Sequence, residues 1–414
     1  MKVTLAAAAL VALAAPAAHA SKIYVGTCNL KANHVATISE AIIAIGNNGT
    51  IAICPGTYSE QLTITRNMKL EGVTDKINAT GAIITPPSGG LVANDTRLDG
   101  STPVAAQIAV DNATVSISNV TVEGAGNLLG GCGPDDLIGI YFKNSSGAVQ
   151  SSVVRDQYLV PFNQLGGCQT GLGIFAENNT GSSNVTVTGN VVEAFQKNGI
   201  TGHDAGTVMT VTGNTVLGVG PTPYIAQNGI EIAYGATGTV TANTVGDVIY
   251  TGGDAASSGI LIYGSAHVTA TKNTVFSTQL AIPVVGDAVT VGDGDDATIT
   301  GNVIGGTQQW DAIDICGASS ATVTGNVVNG ADESAVHLDS ECGPPSTGDT
   351  VTGNKINGTC AGVLIGTGSG GATTSNSYMN VVNDILSGSD VCPAGGGGMR
   401  HPGRHGKLRV SPVR

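Results

Sequence analysis

Two aspartates and a histidine stand where acid–base chemistry could be done. Asp314 lies in Ala312-Ile-Asp-Ile, and His337 and Asp339 lie in Ala335-Val-His-Leu-Asp, two phrases of one pattern. If both are short strands lying side by side, alternation turns their apolar residues one way and Asp314, His337 and Asp339 the other. Asp314 and His337 would be direct neighbours about 5 Å apart, and Asp314 and Asp339 diagonal partners at roughly 8 Å. Inverting glycoside hydrolysis places its two carboxyl groups about 6.5–9.5 Å apart to seat a water between acid and base, and His337 would tune such a pair. Asp287 and Asp311 precede their strands in equivalent turn positions, beside Trp310, the only tryptophan. An indole beside paired carboxylates offers a sugar ring a platform. Glu231 and Tyr263 fall in the same outward columns on earlier copies and extend the contact strip. The same residue types also serve simply to solvate a strand face, with Asp314 and His337 as a local ion pair.

The elements that would position these groups come from a repeat. Val185-Thr-Val-Thr-Gly-Asn190 recurs in variants ending at Asn214, Asn243, Asn273, Asn302, Asn326 and Asn354, 24 to 30 residues apart. Between copies sits a second phrase: Gly199-Ile-Thr, Gly229-Ile-Glu-Ile, Gly259-Ile-Leu-Ile, Ala288-Val-Thr-Val, Ala312-Ile-Asp-Ile, Ala335-Val-His-Leu and Gly362-Val-Leu-Ile. Both phrases alternate and are rich in β-branched residues, which marks short strands. The same residues in the same phase of every period imply parallel, in-register stacking of one coil on the next. The fold class is therefore all-β, a single-stranded right-handed parallel β-helix. Stacked Asn side chains can hydrogen-bond to their copies above and below while tolerating a left-handed turn. The open end of such a coil needs a cap. The amphipathic run Ala36–Ile45, with Thr37 and Glu40 in capping-box spacing, supplies a short N-terminal capping helix.

Residues 1–20 read as an export signal: Lys2, an apolar run, and Ala18-His19-Ala20 as a cleavage site. No later segment is apolar for the roughly 20 residues a membrane span requires. The expectation is a secreted or periplasmic protein. Six of the 17 basic side chains lie in the leader and in 393–414, so the domain 21–392 holds 11 against 30 acidic groups, a net of −19. That surface repels phosphate backbones, which argues against nucleic acid as a partner. Residues 393–414, Gly-rich and basic, read as a disordered tail. Eight cysteines, at 28, 54, 132, 168, 316, 342, 360 and 392, are consistent with disulfides between neighbours in sequence; other connectivities or free thiols stay open. Asp293, Asp295 and Asp296 could offer oxygen ligands to calcium, although solvated turn acids are the commoner use. No other metal or cofactor is expected, and oligomeric state is not readable.

Thr37 to Gly72, with its helix, Gly49-Thr-Ile-Ala-Ile-Cys-Pro-Gly-Thr-Tyr58, Leu62-Thr-Ile64 and Lys69-Leu-Glu-Gly72, resembles the opening coils of pectin-lyase-like β-helix proteins. The resemblance implies that the Asn ladder turns between second and third strands and that the Gly-Ile phrase is the first strand, which carries active sites in pectate lyases and polygalacturonases. Asp287, Asp311 with Asp314, and His337 on three successive coils are similar in order to the acids and histidine of polygalacturonases, without their Asn-Thr-Asp, Gly-His-Gly or Arg-x-Lys motifs. The pectate lyase base is an arginine, and none occurs between Arg155 and Arg400. The expected function is binding of a polysaccharide along the first-strand face, with hydrolysis by Asp314 and Asp339 as the candidate activity. The alternative is a non-enzymatic adhesion scaffold.

Overall fold

The computed structural model describes residues 22–74, 81–133, 135–161, 166–253, 255–286, 293–307 and 310–393. The leader, Asp287 and the tail beyond Pro393 lie outside them. Each repeat is one turn of a three-strand coil, for example Asn228–Ala233, Thr237–Thr241 and Thr244–Tyr250. Successive coils pair in parallel and in register, Ile200 on Ile230 on Ile260. The single antiparallel pairing among the described strands joins Asp95–Thr96 to Pro103–Val104. Inward residues form one continuous column of aliphatics, among them Ile230, Val240, Val245, Ile260 and Ile313, all with no exposure. Glycine before the inward isoleucine reflects close approach: a Cβ at Gly229 would sit 2.7 Å from the Gly259 carbonyl of the next coil.

The asparagines line up. Each amide from Asn190 to Asn354 donates to the Oδ1 of the next copy at 2.9–3.0 Å, ending on Asn376, and each also donates to a strand carbonyl. One expectation is corrected. The left-handed residue is the one before each Asn, as at Gly189 (φ 64°), Ala242 (φ 55°) and Lys272 (φ 55°).

Ile38–Ala44 is the helix, and its capping box forms: Glu40 N–H donates to Thr37 Oγ1 at 3.1 Å and Thr37 N–H to Glu40 Oε2 at 3.1 Å. Glu60, on the coil, accepts from Ile38 N and Ser39 N and fastens the helix start over the end of the barrel. Four disulfides join Cys28–Cys54, Cys132–Cys168, Cys316–Cys342 and Cys360–Cys392, the sequence-adjacent pairing. No helix among the described residues is long and apolar enough to cross a membrane.

The phase of one coil is also corrected. Ile282–Val285 is the first strand of that coil, pairing Pro283 with Asp314 and Val285 with Cys316, while Ala288–Val291 lies outside the described residues.

Asp349 shows how burial tells on a lone acid. Its Oδ1 accepts from Ala321 N at 2.9 Å, its Oδ2 has no partner among the described residues, and burial pushes the carboxyl up from 3.8 to about 7. The folded state then holds a proton that the unfolded chain releases, so this residue's contribution is intact below pH 3.8 and is lost as pH rises through 7. Asp349→Asn is expected to raise stability by about 2 kcal/mol at pH 8 and to change it little at pH 4, as read by chemical denaturation at the two pH values.

Candidate functional site

The outward face of the first strands carries two columns. One runs Ala109, Tyr141, Phe175, Thr201, Glu231, Leu261, Pro283, Asp314, His337, Leu364; the other runs Asp111, Lys143, Glu177, His203, Ala233, Tyr263, Val285, Cys316, Asp339. Polar groups gather at two places along them.

At the first, the expected neighbours do meet. His337 Nδ1 lies 3.3 Å from Asp311 Oδ2, 4.0 Å from Asp314 Oδ1 and 3.8 Å from Asp339 Oδ2, and its Nε2 lies 3.6 Å from Asp390. Burial opposes the imidazolium, yet the Asp311, Asp390 and Asp314 carboxylates outweigh it and hold His337 well above its usual range. Asp390 is held below the usual carboxylate range, chiefly by its bond to His337.

The expected exposure is absent. Asp311, Asp314, His337 and Asp339 are all 0% exposed. The chain after Asp339 folds back over them: Glu341 N–H caps Asp339, Cys342 is tied to Cys316, and Ser340 grips Asp390 through N–H and Oγ. Gly366 makes room for that last carboxylate, since a Cβ there would lie 1.8 Å from Asp390 Oδ1. Asp311 accepts from Ser334 N and Oγ at 3.1 and 2.6 Å. Asp314 and Asp339 both approach the same Nδ1. Trp310 is partly exposed at the start of this strand, and its carbonyl accepts from Glu333 N. Of the acids considered for calcium, Asp295 accepts from Ser319 N at 2.6 Å, and Asp296 pairs with exposed His267.

The second place opens to solvent. The hairpin Asp95–Val104 crosses the face of the early coils and leaves a cleft of about 260 Å³ lined by Arg97, Leu98, Asp99, Thr102, Glu177, His203, Asp204 and Tyr234. The hairpin is pinned by charge. Arg97 Nε lies 2.9 Å from Glu177 and its Nη1 2.9 Å from Asp136, while the guanidinium sits 4.4 Å over the Phe175 ring. Burial alone would lower the Arg97 pKa, but Glu177 and Asp136 keep it charged. Glu177 accepts in addition from Tyr141 Oη and Leu98 N, and Lys143 reaches Asp95 at 2.7 Å. Asp99 shapes the loop tip by accepting from Ser101 N, Thr102 N and Thr102 Oγ1.

On the cleft floor His203 Nε2 lies 3.0 Å from Glu231 Oε1, and Glu231 Oε2 accepts from Asn198 and Asn228 at 2.9 and 2.8 Å. Glu231 thus belongs here rather than with Asp314. The His203 ring stands edge-on between Phe175 and Tyr234, with centroids at 5.2 and 4.8 Å, and Tyr234 continues to Tyr263 at 5.5 Å. Nearby Lys197 is fully buried, donates to the Ala226 carbonyl at 2.7 Å, and is pushed down to about 7 by that burial. Arg97, Glu177, Asp204 and Tyr234 escaped the sequence reading. For Glu177 the missed signal was Gly139-Ile-Tyr-Phe and Gly173-Ile-Phe-Ala, two further copies of the first-strand phrase.

Residues 204–379 match the family profile of the right-handed β-helix region. No curated protein sequence matches the chain. Among solved structures it is similar to the Streptococcus pneumoniae surface protein and adhesin PfbA, at 16% identity over 84% of this chain and 93% of that one, TM-score 0.53. It is similar also to a lacto-N-biosidase from Eubacterium ramulus, at 11% identity over 90% and 67%, TM-score 0.53. An alginate lyase from Paenibacillus matches at 15% identity over 75% and 95%, TM-score 0.49. Identities this low speak to the fold alone. With its parallel coils, its Asn ladder and this profile, the chain folds as a right-handed parallel β-helix.

Proposed function

We propose that this chain acts outside the cell and holds a neutral oligosaccharide in the cleft between the Asp95–Val104 hairpin and the strands bearing Glu177 and His203. The observation that carries the reading is the cleft itself, with the Tyr234 ring at one wall and Asp99, Thr102 and Asp204 as polar groups around it. An aromatic wall with a few placed polar groups is how sugar-sized ligands are oriented. Export is supported by the leader-like first 20 residues and by four disulfides, which persist in oxidising compartments. The acidic surface and the pairing of Arg97 and Lys143 with carboxylates favour uncharged sugars over polyuronides.

Calorimetric titration with cello-, xylo-, manno- and galacto-oligosaccharides and with oligogalacturonate tests this. A neutral saccharide is expected to bind, with Tyr234→Ala weakening it by roughly tenfold, about 1.4 kcal/mol. Failure of every saccharide to bind, or indifference to Tyr234→Ala, would remove the reading and leave the non-enzymatic scaffold. Asp314 and Asp339 take no part in the proposal, because a ligand cannot touch groups that the chain itself covers.

A further inference from the structure

We propose that the cleft hydrolyses the saccharide it holds, with His203 as the base that activates a water and Asp204 as the acid that protonates the departing oxygen. This rests on the saccharide-binding reading above and goes beyond it in assigning a reaction.

His203 is placed as a base must be. It is only 2% exposed, yet it lines the cleft. Its Nε2 is committed to Glu231 at 3.0 Å, which assigns the proton to that nitrogen and leaves Nδ1 to accept one. Glu231 is in turn unable to swing away, since its other oxygen takes two amide donors, Asn198 and Asn228. A histidine oriented by a carboxylate that is itself held is the arrangement general-base catalysis uses. Glu231 does not line the cleft, so it is a positioning residue.

Asp204 follows His203 directly, and a left-handed backbone there (φ 69°) turns the chain out of the strand beside the cleft. Burial and the Glu177 carboxylate hold Asp204 above its ordinary range, against the opposing pull of His203 and Arg97. A carboxyl so raised is suited to give a proton. Glu177, the other cleft acid on these strands, is saturated by Arg97, Tyr141 and Leu98 N and serves structure. Thr102 donates its hydroxyl to Asp99 at 2.6 Å and is not placed as a nucleophile.

The step balances. Water gives a proton to His203 Nδ1 as its oxygen bonds the anomeric carbon. The bond from that carbon to the glycosidic oxygen breaks, and the oxygen takes the Asp204 proton. Solvent then returns the proton from His203 to Asp204, so one glycoside and one water yield two saccharides. β-Elimination from a uronide is disfavoured, because it needs a cation on the substrate carboxylate and Arg97 is already bound to Glu177 and Asp136.

The test is reducing-end release from the same oligosaccharide panel, run beside calorimetric binding on the same full-length preparations. Release is expected from a neutral oligosaccharide that binds. His203→Gln and Asp204→Asn are each expected to lower kcat by about a hundredfold or more, with binding kept within about threefold. Glu231→Gln is expected to lower kcat while leaving KM unchanged. Asp204→Asn, beside the cleft, guards against misfolding of the buried-site variants, and circular dichroism checks all three. Binding without release by the wild type overturns the hydrolysis and leaves the binding reading standing; absence of binding overturns both. A product absorbing as an unsaturated uronide, or kcat unchanged in Asp204→Asn, overturns the assigned mechanism.

Discussion

His337→Gln is expected to cost about 3–5 kcal/mol of stability at pH 5.5. The imidazole lies within 4.0 Å of Asp311, Asp314, Asp339 and Asp390, and it and the first three are fully buried. Removing it leaves carboxylates of like charge packed together out of water, which is far more costly than losing a surface pair. The pH dependence has a definite sign. His337 is charged in the folded state well above the 6.5 of a free imidazole, so its contribution is complete below pH 6.5 and fades as pH rises through the raised value. Wild-type stability is expected to fall between pH 6.5 and 9 more steeply than that of His337→Gln. Denaturation midpoints at pH 5.5 and 9 measure both effects; a loss below 1 kcal/mol at pH 5.5 would mean that the cluster is not organised around this histidine.

A second large effect is expected at the middle of the Asn ladder. Asn273 donates to Val240 O and Asn302 Oδ1 and accepts from Asn243 N and Nδ2, all at 2.9–3.0 Å and all buried. Truncation to Ala strands donors and acceptors on both adjacent coils at once, and each buried group left unmade costs about 1–3 kcal/mol. Partial relaxation brings the expected loss for Asn273→Ala to about 4 kcal/mol. Asn376, half-buried at the ladder's last rung, accepts from Asn354 and donates to Val351 O. Its Ala variant is expected to lose only about 1 kcal/mol, since water can replace the partners. Equal losses at the two positions would show that the ladder is not a continuous buried network.

The architecture was legible because the coil imposes its period on the chain. Inward positions such as Ile230 and Ile260 must be aliphatic and the turn amide must recur, so stacking writes itself into every 24 to 30 residues. The reading slipped where two apolar phrases compete, at Ile282–Val285 and 288–291. The structure uses the first, with Pro283 inside the strand. Register also brought Asp314, His337 and Asp339 together correctly. What alternation could not reveal is which outward positions stay wet. Asp390 reaches His337 from more than 50 residues downstream of it, and its arrival depends on a turn at Ser340 and on a missing side chain at Gly366. Likewise Arg97 lies some 80 residues from Glu177, on a hairpin that departs from the repeat. Glu231 was visible as an outward acid, but its meaning came from His203 one coil below and from amides that the Gly-Ile phrase places beside it.

A crystal structure of the protein soaked with the tightest-binding neutral oligosaccharide bears most directly on the claim that the open cleft, and not the covered aspartates, meets the ligand. A sugar ring is expected against Tyr234 with a hydroxyl or glycosidic oxygen near Asp204, and with the Ser340–Asp390 contact unchanged. Saccharide seated instead at Trp310, with Asp390 displaced and Asp314 and Asp339 uncovered, would contradict it.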